Sequence, residues 1–570
     1  MITEMTKYSW ILLNGDRDSF LEQLRELGVV DVTRSTRAID DKSEALLARI
    51  GGLKDRIRCI EKGMDPKLAA LSAACDGIAR ELAELTPWGE YDREKLNSLG
   101  IPVHYFRIPA KKYDKAWEED NAIQTISRNG DTVWFVALGD CSIPEKELAA
   151  PQCSLARKRQ ELEDARAAVD SYRKELEASK DDIPGLKEEI SSLTGELNLY
   201  LADQAATAAA EDHLAVFEGF APTENDTELQ AAFDNMPVVW LADAAKVDDN
   251  PPIKFKNNRF VKMFEPLTDM YGRPSYDGFD PTPYIAIFFL LFFAMCMGDL
   301  GYGIILVIVG LLLGKVESFK KFAPLVVTLG VGTIIVGFFF HTFFSIDFSQ
   351  WACIPDGLKK IMVPAQVAGY DGTMVLALVV GIVHLCLAMI VKTVYATKNQ
   401  GFLNSLSTWG WTLLIVGAVV VGLIALIGVI DKAAVKTILI VLGIVCALGI
   451  FPFNNMKRNV LSNVGSGLWD TYNMATGILG DVLSYLRLYA LGLAGAMLGF
   501  AFNDLAKMAL GDGGVRWIFF ILIVIIGHTL NLAMAALGAF VHPLRLNFLE
   551  FFKNSGYEGS GKKYNPLTKE

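Results

Sequence analysis

The sequence predicts an α-helical polytopic membrane protein of eight transmembrane helices, preceded by a cytoplasmic α/β domain of two lobes joined by an antiparallel coiled coil. The chain has 570 residues, 52% of them hydrophobic, yet its formal net charge is −11. That charge is unevenly divided: about 49 acids and 34 bases precede residue 267, against about 16 acids and 20 bases after it. Long charged helical patterns lie in the first part and long apolar segments in the second.

Residues 1–266 are predicted to form an acidic soluble arm. Two charged runs, 41–86 and 154–206, carry apolar residues every three or four positions, which favours an antiparallel coiled-coil hairpin. Pro184-Gly185 predicts a kink or break in the second run. A mixed-charge acidic arm argues against nucleic acid as its partner.

The lobes at the two ends of the coiled coil are predicted from strand and helix patterns. A proximal lobe is predicted from residues 1–40 together with 207–266. Its predicted strands are 7–14, 29–33, 214–220 and 238–241, and its predicted helices are 16–27 and 224–233. A distal lobe, 87–153, is predicted to hold strands 103–108 and 132–138 around a helix from Lys111 to Ile126. The N-terminus has no basic stretch followed by an apolar one, so we expect no signal peptide and a cytoplasmic arm.

Residues 267–570 are predicted to form the membrane domain. The predicted spans lie at about 282–298, 300–314, 322–343, 373–397, 408–430, 433–452, 471–507 and 516–552.

The first two spans come from one apolar stretch of about 32 residues, which is either one oversized span or a hairpin of two short helices. Loop charges favour the hairpin. With it, every basic connection falls on the side of the arm: Lys315, Lys320 and Lys321; Lys392 and Lys398; Lys457 and Arg458; and the tail with Lys553, Lys562 and Lys563. Both termini are then cytoplasmic, and the outer loops are about 344–371, 431–433 and 508–515.

The last two spans are each about 37 residues long, which at 1.5 Å per residue is about 55 Å, so we expect them to tilt or kink. Each carries a polar or small stripe at offsets of three and four, which places it on one helix face. The first stripe is Asp470, Asn473, Gly477, Gly480, Ser484, Arg487, Leu491 and Ala494. The second is His528, Asn531, Ala535, Gly538, His542, Arg545 and Leu549.

Arg487 is the most informative residue on these stripes. An arginine cannot lose its proton at any relevant pH, and placing it at mid-bilayer depth costs roughly 3 kcal/mol. The simpler interpretation is that the stripes only pack helices together, through small residues and interhelical hydrogen bonds. It explains the small residues but not a charge at this depth. Arg545 is nearer the cytoplasmic end, where it can also snorkel, and Glu550 lies further out, at the expected interface.

Two other stretches allow a functional interpretation beside a structural one. Asp299, in Gly298-Asp-Leu-Gly-Tyr-Gly303, is either a cap on a helix break or a polar lining of an outer ion path. The run Gly310–Val316 resembles a phosphate loop but is one residue short and lacks Ser or Thr after Lys315. We therefore predict no nucleotide site and no cofactor for this chain.

Three stretches resemble the large membrane stator subunit of V-type and A-type rotary ATPases, called subunit a or subunit I. They are Asp280-Pro-Thr-Pro283 through Gly303, Ser484-Tyr-Leu-Arg487-Leu-Tyr-Ala-Leu-Gly-Leu-Ala494, and Gly527-His-Thr-Leu-Asn-Leu through His542-Pro-Leu-Arg545-Leu-Asn-Phe-Leu-Glu550. The two-lobed arm agrees with this family in architecture.

The resemblance implies a rotary mechanism. The family's stator offers two offset half-channels to a proteolipid ring that carries one essential carboxylate per ion site, and Arg487 matches the arginine between them. Arg545 matches a second arginine; Asp481, Ser484, His528, Asn531 and His542 are candidates for half-channel lining, with Glu550 and Asp299. The implied partners are the proteolipid c-ring, peripheral-stalk E/G coiled-coil heterodimers, central-stalk subunits and the lipid bilayer.

The chain departs from the eukaryotic pattern at two positions. Gly495 stands where eukaryotic relatives carry His, and Ala535 where they carry Glu. With an arm that is short beside theirs, this suits a prokaryotic cell membrane. The coupling ion, H⁺ or Na⁺, and the direction of ATP turnover stay open. Two alternatives are a secondary transporter, which would show a second broken helix in a repeat, and a membrane-anchored scaffold, which leaves Arg487 unexplained.

Overall fold

The computed structural model describes residues 1–568 apart from 36, 63–64, 91–99, 115–116, 121, 140, 142, 150–153, 210–212, 317–318, 349–354, 356–358, 360, 365, 368, 427–431, 452–459 and 510–513. Lys457, Arg458 and Asp431, used above in the loop-charge argument and the outer loops, lie outside the described residues. The chain divides into two units. One comprises Met1–Asp16, Val29–Val32 and Thr207–Pro566, and the other Arg17–Gly28, Thr33–Ala206 and Leu567–Glu570.

The protein is mostly helical. Its helices of seven or more residues are α1 (Arg17–Leu27), α2 (Asp41–Lys62), α3 (Pro66–Leu85), α4 (Leu155–Ala178), α5 (Ile183–Gln204), α6 (Asp226–Phe233), α7 (Glu265–Tyr271), α8 (Thr282–Met297), α9 (Leu300–Leu313), α10 (Ala323–Phe339), α11 (Gly372–Gln400), α12 (Leu406–Leu426), α13 (Lys432–Ile450), α14 (Val460–Ala509) and α15 (Gly514–Arg545). A π-helical segment, Leu546–Phe551, and a short helix, Phe552–Ser555, follow α15.

The strands are short and antiparallel. They are β1 (Met5–Leu13), β2 (Asp31–Val32), β3 (Val103–Pro109), β4 (Ala122–Asn129), β5 (Thr132–Leu138), β6 (Thr207–Ala209), β7 (Leu214–Pro222), β8 (Val239–Ala244), β9 (Thr342–Phe343), β10 (Ile346–Asp347), β11 (Gln366–Val367) and β12 (Tyr370–Asp371).

The first unit contains a sheet of order β2-β7-β1-β8, with β6 added to β7. Its register pairs Met5 with Pro222, so strands about 200 residues apart in sequence lie side by side. Alternate side chains of β1 are buried, among them Tyr8 and Trp10, as the period of two in a half-buried strand requires. The Tyr8 hydroxyl donates to Asp226 at 2.8 Å, which fixes α6 against this sheet.

The second unit contains a three-stranded sheet of order β3-β5-β4. Here one prediction is wrong: the stretch from Lys111 to Ile126 is not a helix. Among the described residues of this stretch, only Trp117–Asp120 is α-helical, and Ala122–Asn129 is strand β4, paired with β5. The reason is local, because the two-residue turn Gly130-Asp131 joins β4 to β5, and Gly130, at φ of +56°, occupies the first turn position, where glycine favours a hairpin.

The charged helical runs of the second unit form two antiparallel pairs, α2 with α5 and α3 with α4. Arg49 contacts Glu189 at 2.7 Å in the first pair, and Lys158 contacts Glu81 at 2.7 Å in the second. The predicted break in the second run is present. Helix α4 ends at Ala178, four residues of 3-10 helix follow, and Pro184 lies in the first turn of α5, where its missing N–H costs no hydrogen bond.

In the first unit, an apolar helix lies at each predicted membrane position. Within the described residues, four are long and apolar enough to cross a membrane: Gly372–Gln400, Leu406–Ala425, Gly465–Ala509 and Arg516–Ser555. Four more are apolar but shorter: Thr282–Met297, Leu300–Leu313, Ala323–Phe339 and Ala434–Ala447. Helix α14 has 50 residues, which corresponds to about 75 Å, far more than the hydrocarbon layer requires.

The chain reverses direction between α8 and α9. Gly298, with φ of +53°, ends α8, and the Asp299 side chain caps α9 by accepting from the Tyr302 N–H at 3.2 Å. Helix α10 runs parallel to α8, because Gly332 lies against Leu290 and Phe340 against Gly298, and α9 runs antiparallel to α10. The reversal agrees with the hairpin interpretation of this stretch.

The helices of this unit have two recognisable ends. At one end lie Met1, whose amine contacts Asp280 at 2.7 Å, and Asn399, whose side chain donates to the Asp277 carbonyl at 3.2 Å. The C-terminal tail lies there too, since the Tyr557 hydroxyl donates to the Gly272 carbonyl at 2.7 Å. We call this the arm-side end. The reversal at Gly298–Asp299 and strands β9 and β10 mark the opposite end.

Close packing of α9 on α10 provides a first test. A Cβ on Gly303 would lie 2.7 Å from the Ile334 nitrogen and 3.0 Å from the Gly330 oxygen, and neither backbone atom can move aside easily. We expect Gly303→Ala to destabilise the protein by about 1–3 kcal/mol through overpacking, seen as a lower Tm of the detergent-solubilised chain. The matched control is Gly422→Ala in α12, where a Cβ meets no atom within 4 Å. An unchanged Tm for Gly303→Ala would contradict this packing.

Candidate functional site

The two helices that carry the predicted site, α14 and α15, lie side by side and antiparallel. Gly527 contacts Phe502, the Asn531 side chain donates to the Gly495 carbonyl at 2.9 Å, and Gly538 lies against Leu491. Residue numbers thus fall along α14 as they rise along α15, as they must in an antiparallel pair. Continued by one more turn, this register places His542 opposite Arg487, and the imidazole of His542 does interact electrostatically with Arg487 and Arg545.

Asp299 lies at the end opposite the arm and is 4% exposed. Its carboxylate accepts three backbone N–H groups, from Tyr302 at 3.2 Å, Phe344 at 3.0 Å and Ser345 at 2.6 Å. The expected cap is therefore present, and the same side chain also holds the turn between β9 and β10. That turn includes Phe344 and Ser345 at φ of +47° and +59°, a conformation that non-glycine residues adopt only when their surroundings enforce it.

A buried hydrogen-bond network joins α9, α14 and α15 near Asp299. His528 Nδ1 lies 2.8 Å from the Tyr302 hydroxyl, and His528 Nε2 lies 3.0 Å from Asn503 Oδ1. The Asn531 side chain also donates to Tyr302 at 2.8 Å. The sequence analysis named His528 and Asn531 but missed Tyr302 and Asn503. Their signal was available, because both are polar side chains within otherwise apolar helices.

A cavity of about 230 Å³ lies beside this network. Lining residues near the reversal are Asp299, His341, Ser345, Asp371 and Thr373, and those on α14 are Leu488, Tyr489, Gly492, Leu493, Gly495 and Ala496. The cavity is large enough for several waters, each of which takes about 30 Å³ in the liquid. It reaches Leu488, the residue that follows Arg487. The sequence analysis did not foresee His341 or Asp371 as lining residues.

A second polar group lies on the arm side of Arg487. The Asp481 carboxylate accepts from the Asn554 amide at 2.8 Å and contacts the Lys553 ammonium at 3.4 Å. The Ser484 hydroxyl donates to the Gly480 carbonyl at 3.0 Å and lies beside the Glu550 carboxylate. Side chains from the π-helical segment and the short helix that follow α15 thus contact the middle of α14.

Glu550 is 4% exposed and so lies deeper among protein groups than the expected interfacial position. Its carboxylate interacts electrostatically with Arg487 and Asp481, and its Oε2 is buried without a hydrogen-bond partner among the described residues. The π-helical segment Leu546–Phe551 carries it. π-helical turns widen a helix locally and recur at functional sites.

Arg487 lies between the two polar groups and is half-buried. Its Nη1 is buried and has no hydrogen-bond partner within the described part of the chain. A buried guanidinium nitrogen without an acceptor is costly. Arg545, the last residue of α15, is exposed.

The two predicted stripes do not present one uniform face. On α15, His528 and Asn531 are buried in the bundle, at 8% and 1% exposure, whereas Arg545 and Leu549 are exposed. On α14, Asp470, Asn473, Gly480 and Ala494 are exposed. The cause is that heptad-like spacing drifts by about 20° per seven residues around a straight helix. The part of the second stripe that contains His528 and Asn531 therefore faces the helix bundle.

These features define a multi-helix membrane protein with a fixed arginine inside its helical region and a sheet-containing N-terminal region. The model of the V-type ATPase 116kDa subunit family matches residues 143–349 and 471–569. The chain belongs to this family.

Individual relatives agree. The chain is 34% identical to A-type ATP synthase subunit I of Pyrococcus horikoshii over 56% of its own length and 48% of that protein. It is 30% identical to A-type ATP synthase subunit I of Methanocaldococcus jannaschii over 60% and 52%. The chain thus spans about half the length of these relatives. The V-type ATP synthase subunit I of Borreliella burgdorferi is 23% identical over 100% of both chains.

Proposed function

We propose that this chain is the membrane stator subunit of a V/A-type rotary ATPase, which couples H⁺ or Na⁺ translocation to ring rotation and to ATP hydrolysis or synthesis. The observation that carries the proposal is Arg487: a cation between two polar groups, with a buried nitrogen that no described residue satisfies. Its missing partner is then the carboxylate of a passing proteolipid subunit.

The cavity beside Asp299 is proposed as the outer half-channel. Its lining includes Asp299, His341 and Asp371, and it extends to Leu488, the residue after Arg487 in the sequence. Water in such a cavity can bring an ion from the outer side to a ring carboxylate at this depth. Asp299 itself is saturated by three N–H groups, so its part is to hold the mouth of the cavity rather than to exchange ions.

The group of Asp481, Ser484 and Glu550 is proposed to line the cytoplasmic half-channel, with His542 and Arg545 beside it. Arg487 then separates the two paths. A fixed cation favours the ionised form of each arriving ring carboxylate, so the bound ion leaves into one half-channel. The carboxylate takes up an ion from the other half-channel before it re-enters lipid, where a bare charge is costly.

The proposed topology has eight spans and both termini in the cytoplasm. The apolar helices at the eight predicted positions support it, as does the location of Met1 and of the C-terminal tail at the same end of the first unit. Described basic residues lie at this end as well, since Lys392 contacts Gly556 and Lys553 contacts Asp481. The positive-inside rule then assigns this end to the cytoplasm.

Residues 1–266 are proposed to be the cytoplasmic arm, with the proximal lobe, coiled coil and distal lobe as predicted. The antiparallel pairs α2–α5 and α3–α4 support a coiled coil between the lobes. We propose that this arm docks the peripheral-stalk E/G heterodimers and that the complex includes central-stalk subunits. The membrane domain, 267–570, binds the ring along the exposed faces of α14 and α15.

Affinity purification tests this assignment. When a tagged form of this chain is isolated from its own membranes in mild detergent, we expect a proteolipid ring, peripheral-stalk coiled-coil subunits and ATPase activity to co-purify. The control is the same isolation from cells with an untagged chain. Recovery of the intact, folded chain without any proteolipid would overturn the stator assignment.

A further inference from the structure

The structure holds a buried histidine that the sequence analysis did not single out and that the proposed half-channels do not use. His384 lies in the middle of α11 and is 0% exposed. Its Nδ1 is 2.9 Å from the Tyr485 hydroxyl on α14. Its Nε2 is buried with no hydrogen-bond partner among the described residues.

Aromatic rings enclose this histidine. The His384 ring is stacked on Phe551 with centroids 4.8 Å apart and an interplanar angle of 6°, and it lies 4.2 Å from the ring centroid of Phe288. A phenylalanine or leucine would fill such a site with no polar cost. A histidine leaves one polar atom unsatisfied there. Among the described residues, His384 makes a hydrogen bond to Tyr485 that an apolar side chain could not make. This hydrogen bond therefore distinguishes His384 from an apolar residue.

Tyr485 is as deeply buried as His384. It is fully buried, and its ring lies so close to Gly381 of α11 that a Cβ at that glycine would overlap it. Successive residues in an α-helix are 100° apart, so Tyr485 and Arg487 point about 200° apart around α14. Fixing the tyrosine on the inner side of the helix therefore fixes the direction of the arginine on the other side.

We propose that His384 is a positioning residue for Arg487. Through its hydrogen bond to Tyr485, it sets the rotation of α14 about its own axis. Its stacking on Phe551 places the π-helical segment that carries Glu550 against the same anchor. His384 thus aligns Arg487 with the Glu550 carboxylate. The inference rests on the proposed ion-translocating function and adds a residue, on α11, that contacts neither ion nor ring.

The test separates the hydrogen bond from the packing. Tyr485→Phe removes one hydroxyl, His384→Phe keeps an aromatic ring but removes the hydrogen bond, and His384→Asn keeps a polar atom at the position of Nδ1 but loses the ring. Each variant is expressed in the complete ATPase complex in membrane vesicles. The readout is the number of ions transported per ATP hydrolysed, normalised to assembled complex, which a loss of stability alone would not change.

We expect Tyr485→Phe and His384→Phe to lower this ratio by about fivefold or more, since a displacement of about 1 Å at a reacting group can cost a hundredfold. The double variant should be no worse than the poorer single one, because both changes remove the same bond. His384→Asn should recover most of the coupling. The matched control is Thr393→Val, which removes a buried hydrogen bond of 2.6 Å that joins α11 to Thr412 of α12 rather than to α14.

Normal coupling in Tyr485→Phe would overturn the proposal, whether or not the His384 variants assemble. A loss in His384→Asn with normal coupling in His384→Phe and Tyr485→Phe would assign the effect to the ring stacking on Phe551 and would overturn the role of the hydrogen bond. Arg487→Ala is run in parallel. If that variant transports normally, the stator function itself fails. If it is inactive while Tyr485→Phe and His384→Phe are normal, only the positioning role fails.

Discussion

Replacing Arg487 with alanine is expected to reduce ATP-driven ion uptake into vesicles by at least about a hundredfold. A unit cation about 4 Å from a carboxylate contributes about 4 kcal/mol at an effective dielectric constant of 20, which exceeds what a hundredfold change in rate requires. Without this cation, a ring carboxylate that reaches α14 has no reason to release its ion. In the proposed mechanism this interaction is made at the Arg487 Nη1, which is buried and lacks a partner within the described residues.

Arg487→Lys is expected to be nearly as inactive. Lysine keeps the charge but places it as a compact ammonium on a flexible stem, without the planar fork that can contact a carboxylate through two nitrogens. Arg516→Ala is the matched control, since Arg516 is an exposed arginine on α15 at the end away from the arm. It should transport normally. Uptake at the unsubstituted level in both Arg487 variants would eliminate the stator mechanism.

The second large effect is expected from filling the outer cavity. Gly495 lines that cavity, and a Cβ there meets no atom within 4 Å, so a larger side chain can extend into the cavity without displacing backbone. We expect Gly495→Leu to reduce ion uptake by about tenfold or more, because the side chain takes the place of several waters. The measurement is ATP-driven uptake per assembled complex.

Gly422→Leu on α12 controls for the added side chain, since a Cβ there also meets no atom within 4 Å. It should leave uptake unchanged. Full activity of Gly495→Leu would show that ions do not pass through this cavity, even if Arg487 proves essential. The two experiments therefore test the separator and the outer path independently.

How far the sequence predicted the site depends on the kind of residue. Arg487, Asp481 and Ser484 were found because a charge or polar group in an apolar helix is unfavourable and therefore conspicuous. His384 and Tyr302 carry the same kind of signal, although neither side chain has the permanent charge of Arg487. Nothing in their neighbours along the chain shows that they meet Tyr485 and His528, 101 and 226 residues away.

The errors follow the same logic. Residues 111–126 were predicted to be helical from local pattern, whereas Ala122–Asn129 pairs with β5 and is a strand. Cross-strand pairing stabilised the less obvious conformation, as it often does where local preference is weak. His528 and Asn531 were predicted to share one helix face with Arg545, but the drift of the stripe around α15 turns both into the bundle.

By itself, the sequence determined the membrane class and the positions of the apolar helices, and it predicted an acidic arm and a functional role for Arg487. These properties depend on hydrophobicity, charge and helical periodicity, which are local and additive along the chain. Only the tertiary structure showed that the Glu550 carboxylate lies near this arginine and that a cavity extends from Asp299 to Leu488, the next residue along the chain. Such proximity depends on how α14 and α15 are rotated and aligned, and packing with α11 and α8 fixes that alignment through contacts between residues far apart in sequence.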